Sequence, residues 1–116
     1  MTQIDQYTSN PEVASMYEFL LNQMRVKLGP FDQEYKKTSI HVVTSRAFLG
    51  IHFMKNDLRL NIVLDHIIDS ERLYRCEQVS KRRFHNVVRL SDLTEIDDEL
   101  LGWIEEAYRM TVEKKP

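Results

Sequence analysis

Between Thr38 and Leu64 apolar residues recur at every second position, whereas on either side they recur at intervals of three and four. A period of two belongs to strands and one of 3.6 to helices, so the chain is confined to a helix, a run of strands and a closing helix. Ile40 and Val42 mark the first strand, and Leu49, Ile51 and Phe53 the second. After the turn Lys55-Asn56-Asp57 come Leu58, Leu60, Ile62 and Leu64 of the third. These side chains share one apolar sheet face. Alternation puts Ser39, His41 and Val43, then Phe48, His52 and Met54, then Arg59, Asn61 and Val63 on the other face. That outer face mixes apolar, aromatic and cationic groups, unlike a plain solvated surface.

The flanking helices are specified at their starts. Asn10-Pro11-Glu12 supplies a capping side chain followed by a proline suited to the first helical position. Val13, Met16, Tyr17, Leu20, Leu21, Met24 and Leu28 then line one face until Gly29-Pro30 stops the helix. This stripe is the spacing a core face requires. At the other end Asp97 is placed as an N-cap, with Ile96 and Leu101 as a hydrophobic staple. Leu100, Leu101, Ile104, Ala107 and Tyr108 form the second apolar stripe, with Trp103 at its edge.

After a loop over 65–70, Glu71 to Val79 reads as a strand of poor alternation, and Ser80-Lys81-Arg82-Arg83 turns the chain. The last strand puts Phe84, Val88 and Leu90 toward the core with Asn86 as an exception, leaving His85, Val87 and Arg89 on the outer face. The expected fold is therefore α+β. It is a largely antiparallel meander of about five strands, with the N-terminal and C-terminal helices packed on one face. A length of 116 residues suits one domain, taken as residues 10–112 between tails at 1–9 and 113–116.

Net charge is −2, from 16 Lys and Arg against 18 Asp and Glu, which gives no bulk attraction for polyanions. Charge is segregated, however. Residues 72–89 hold Arg72, Arg75, Lys81, Arg82, Arg83 and Arg89 against Glu77, while residues 92–106 hold only acids among their charged side chains. The simplest expectation is that the two segments pair within the fold. The single cysteine, Cys76, allows no intrachain disulfide and fits a reducing compartment. With no run of about 18 apolar residues and no leader-like start, the expectation is a cytoplasmic protein without a membrane segment.

The segment ERLYRCEQVSKRRFHNVVRLSDLTEIDDELLGWIEEAY resembles the pattern of a small domain-of-unknown-function family, DUF family 5655. It carries an Arg in the fourth strand, a His-x-x-x-Arg-Leu strand, and a closing helix with Asp-x-Glu-Leu, Trp and Ala-Tyr. LGPF, KKTSIHV and AFLGIHFMKNDLRLNIVL are similar to its glycine turn, first strand and central hairpin, so the resemblance runs over residues 10–112. It implies a compact α+β domain, places Lys37, Arg72, His85, Arg89 and Tyr108 on family positions, and implies no particular activity.

Four histidines, His41, His52, His66 and His85, raise the question of a metal. A hairpin turning at Thr44-Ser45 would put His41 opposite Phe48 and so about 13 Å along the strand from His52, too far for one ion. No metal site or cofactor is therefore expected. A nucleophile elbow and a glycine-rich phosphate loop are both missing from the sequence, and Cys76 has no assignable base. The enzyme reading stays open and leans toward no. The candidate binding residues are Lys37, His52, Arg59, Arg72, Arg82, Arg83, His85 and Arg89. The first functional reading is a binding domain whose outer face takes a protein partner or a second copy of the chain, because aromatics, Met and Arg favour interfaces. The alternative is nucleic-acid or anion binding through the basic hairpin around 72–89. A small-molecule enzyme with a His/Arg pocket is third, and would require Lys37, Arg72, His85 and Arg89 to converge.

Overall fold

A computed structural model describes residues 3–112. Helix α1 (Pro11–Lys27) starts where expected: the Asn10 side chain accepts the Glu12 amide at 2.9 Å, and Pro11 fills the first helical turn. Six strands follow, β1 (Asp32–Tyr35), β2 (Ser39–Val43), β3 (Ala47–Phe53), β4 (Leu58–Leu64), β5 (Leu73–Ser80) and β6 (Arg83–Leu90). Helix α2 (Asp98–Val112) closes the chain. The α+β class and the antiparallel sheet with helices packed against it are as the sequence predicts.

Two features of the sheet differ from the simple meander. The strand order is β1-β2-β3-β4-β6-β5, so the last strand inserts beside β4 and the fifth lies at the edge. Burial explains the swap. In β6 Asn86, Val88 and Leu90 are fully buried, whereas in β5 only Leu73 and Cys76 are partly buried and the rest, Tyr74, Arg75, Glu77 and Gln78 included, is exposed. A polar strand tolerates an edge, and one with an apolar face does not. At the opposite edge β1, Asp-Gln-Glu-Tyr, pairs with β2 without any apolar alternation to announce it.

One core lies between the sheet and the helices. Leu20, Leu21 and Met24 of α1, and Leu100 and Ile104 of α2, pack with Ile40, Ile51, Leu60 and Ile62 of the sheet. Phe48 belongs to this core, fully buried, with its ring edge-on to Tyr108 at 5.4 Å between centroids. Its placement on the outer face by alternation is therefore corrected. The β2–β3 ladder shifts register, pairing Val42 with Leu49 but Val43 with Ala47, so Phe48 is the extra residue of a bulge and escapes the period of two. The turn also takes an extra residue, Thr44 to Arg46, and ties to the end of α2 where the Ser45 hydroxyl donates to the Thr111 carbonyl at 2.8 Å.

Ile4 and Tyr7 anchor the segment before α1 to the body. A short 3-10 helix, Gln3–Gln6, buries Ile4, and the ring of Tyr7 stacks on Phe53 at 5.0 Å. The basic tail expected at 113–116 lies outside the described residues. Among the described residues, no helix is long and apolar enough to cross a membrane.

Candidate functional site on the outer sheet face

The outer face is built by strand alternation, and its register sets which side chains meet. Ser39, His52, Arg59 and Arg89 stand in one cross-strand row over β2, β3, β4 and β6. The next row is His41, Gly50, Asn61, Val87 and Arg75, and the third brings Val63 beside His85 and Glu77. The expected pairing of His52 with Arg59 is present. The expected pairing of His41 with Phe48 is not, because the longer turn and the bulge move His41 two residues along, opposite Gly50.

His41 and His52 are consequently neighbours. A methyl group built on Gly50 would sit 3.5 Å from His52 Nε2 and 3.8 Å from His41 Cδ2, so both imidazoles close over the buried Gly50 backbone. Burial, followed by the nearby His41, holds His52 below the usual imidazole pKa. His85 leans over the next strand, with Nδ1 3.2 Å from Asn61 Nδ2.

Two shallow clefts lie on this face and share Asn61 and His85. One, of about 270 Å³, is walled by His52, Arg59, Arg75 and Glu77. The other, of about 260 Å³, is walled by His41, Arg46, Gly50 and Arg83. Beside the first cleft the guanidinium carbons of Arg59 and Arg89 lie 4.8 and 5.1 Å from the ring centre of Tyr74. Arg89 also reaches Asp57 at 3.6 Å. Arg59 makes no ion pair with another described residue, and its Nε is buried without a hydrogen-bond partner, as is Asn61 Oδ1. An unpaired buried donor costs about 1–3 kcal/mol, and more when it belongs to a charged group.

The candidate residues divide accordingly. His52, Arg59, Arg83 and His85 line the clefts, and Arg89 adjoins them. Arg72 belongs elsewhere: its guanidinium bonds Asp97 at 2.9 Å and Glu99 at 3.1 Å, accepts the company of the Trp103 ring, and donates to the Glu95 carbonyl. The charge segregation seen in the sequence is thus met by Arg72 alone among the described basic residues of 72–89. Lys37 sits in the β1–β2 turn and Arg82 at the β5–β6 turn, both exposed and away from the clefts. Lys37, Arg72, His85 and Arg89 do not converge on one pocket. Tyr74 and Arg75 of β5 were missed, since nothing in a poorly alternating strand says which side chains turn outward.

Away from this face, Asp65, His66 and Glu106 offer metal-ligand atoms within 4.8 Å of one another, all on exposed side chains. His66 Nε2 lies 2.7 Å from Glu106, and this hydrogen bond holds the imidazole above its usual pKa. Exposed groupings of this kind are common without a metal. Burial pushes the Cys76 thiol up, away from the thiolate form that reactive cysteines need.

The family model described as "Domain of unknown function (DUF5655)" matches residues 4–111. The chain belongs to this family. No curated protein and no solved structure matches it. In this DUF5655 domain the match takes in α1, all six strands and α2 up to its last residue, and with them every residue of the outer face.

Proposed function

We propose that the outer sheet face of this DUF5655 domain binds a phosphate-bearing anionic ligand. The observation that carries this reading is the pair Arg59 and Arg89. They are direct cross-strand partners of like charge, and Asp57 pairs with only one of them, Arg89. Like charges directly opposite destabilise a sheet, and a buried guanidinium N–H without an acceptor adds to that cost. An oxyanion between the two forks relieves the repulsion, and arginine geometry suits phosphate oxygens. The acidic net charge does not oppose this, since Arg46, Arg59, Arg75, Arg83 and Arg89 gather here against Glu77 and Asp57.

Self-association through the same face was the leading expectation from sequence. It is weakened by the burial of Phe48, which leaves Tyr74, already engaged with Arg59 and Arg89, as the exposed aromatic beside the clefts. The apolar side chains that remain outside, Met54, Val63 and Val87, are interspersed with Arg and His.

Calorimetric titration with pyrophosphate at low salt tests the proposal. Saturable binding that is lost in Arg59→Gln/Arg89→Gln, with the circular dichroism of the fold unchanged, supports it. Equal heats for the wild type and the double variant would reject it.

A further inference from the structure

We infer that the two clefts are successive subsites for one single strand of nucleic acid, crossing the outer face from Arg59 toward Arg83. This rests on the anion-binding reading above and names the ligand class for that site. A compact anion needs one site, whereas the clefts are contiguous, meet at Asn61 and His85, and each carries its own arginines: Arg59 and Arg75 in one, Arg46 and Arg83 in the other. That repetition matches a ligand that repeats its charged group. Along β4 the face runs from Arg59 to Val63, about 13 Å at strand rise, enough for more than one nucleotide unit.

The groups between the charges suit bases rather than bare phosphate. Gly50 is itself buried, with Asn61, His52 and His41 closing over it, so the imidazoles of His41 and His52, one in each cleft, rather than the strand beneath them are the surfaces a base would meet. Tyr74, 47% exposed, and the His85 ring add aromatic faces along the same surface. Aromatic faces set among arginines are how single strands are held without reading sequence. A duplex fits less well. The clefts are shallow, and Glu34, opposite His41 at the margin of the face, would meet a second strand's phosphates.

The test is fluorescence anisotropy with labelled deoxyoligonucleotides of increasing length, from a mononucleotide upward, alongside inorganic polyphosphate and a duplex as competitors. Affinity is expected to climb up to about four nucleotides and then level off, with polyphosphate of matching charge weaker by about tenfold for want of stacking. Replacing both Arg59 and Arg83 by Gln should flatten the dependence of log affinity on log salt by about 1.4, at about 0.7 per phosphate contact on a single strand. His85→Ala should weaken the oligonucleotide by a larger factor than it weakens pyrophosphate. A mononucleotide that binds as tightly as the longer strands, or polyphosphate equal to oligonucleotide, would overturn the strand inference while the anion site stands. Failure of every anion, pyrophosphate included, would remove both.

Discussion

Asn86 Oδ1 accepts the backbone amide of Ile68 at 2.9 Å, joining the centre of β6 to the loop that leaves β4. The same carboxamide donates to the His66 carbonyl at 3.1 Å, and Asn86 is fully buried among apolar neighbours. A polar residue on the core side of a strand is thus explained by the loop it holds. Removing it leaves a buried N–H and C=O without partners, at about 1–3 kcal/mol each. Asn86→Leu, similar in size but unable to bond, should lower unfolding stability by about 3 kcal/mol in urea. It should also speed amide exchange over 65–72 before the rest of the chain. A variant as stable as the wild type would show that the loop is held by other means.

Gly29 is required for space rather than for backbone freedom. A Cβ there would lie 2.5 Å from the Tyr108 hydroxyl, which donates to the Pro30 carbonyl at 3.1 Å. The Tyr108 ring cannot easily yield, since Phe48 packs edge-on against it. Gly29→Ala should therefore destabilise by about 1–3 kcal/mol, the usual range for overpacking. In a Tyr108→Phe background the nearest remaining atom is Cζ at 3.6 Å, an ordinary contact, so the same substitution should cost almost nothing. Thermal unfolding of the four proteins measures the coupling directly, and additive effects would sink this account.

Asp97 joins the start of α2 to the loop before β5. Burial raises its pKa, but the Leu100 amide at 3.0 Å and the Arg72 guanidinium outweigh it and hold the carboxyl below its usual value. A group depressed in the folded state contributes stability above its unfolded pKa of about 3.9, and that contribution is lost as pH falls through the folded value. Asn at this position keeps the cap without the charge. Asp97→Asn should therefore be less stable than the wild type at about pH 7 and approach it at about pH 2. The carboxylate is half exposed, so the difference should stay within about 1 kcal/mol. A gap that is the same at both pH values would assign the effect to geometry instead.

The apolar periods and the capping residues carried most of the architecture, because both are local and repeat along the chain. What escaped was non-local or aperiodic. The Phe48 bulge and the three-residue turn before it together displace His41 by two positions, which alternation alone cannot register. That slip separated two histidines that in fact flank Gly50. The edge strand β1 has no apolar face to betray it, and the exchange of β5 and β6 follows from which strand is better buried, a property of the assembled sheet. The His52–Arg59 pairing was legible because a short hairpin fixes its own register. Arg72 looked like a binding residue for the same reason that Arg89 did, an arginine in a basic segment, and only the placement of Asp97 and Glu99 separates them.

His52 supplies the last test, since it stands beside Arg59 in the row on which the anion reading rests. The charged or titratable groups facing it are His41 from β2 and Arg59 from β4, with no carboxylate among them in the first cleft except Glu77 on β5. Burial first, then His41, depresses its pKa. In the window below its unfolded pKa of about 6.5 the unfolded chain therefore binds more protons, and stability rises with pH across that window. His52→Gln should flatten this rise. A bound phosphate group reverses the electrostatics by offsetting the neighbouring cations, so the imidazole takes up a proton as the anion binds. Affinity for pyrophosphate should then fall as pH rises through the same window, and fall less steeply in His52→Gln. Calorimetry in two buffers of different ionisation enthalpy reads the proton uptake itself. If uptake is identical in the variant, His52 lies outside the anion's reach, and the site contracts to the arginines around Tyr74.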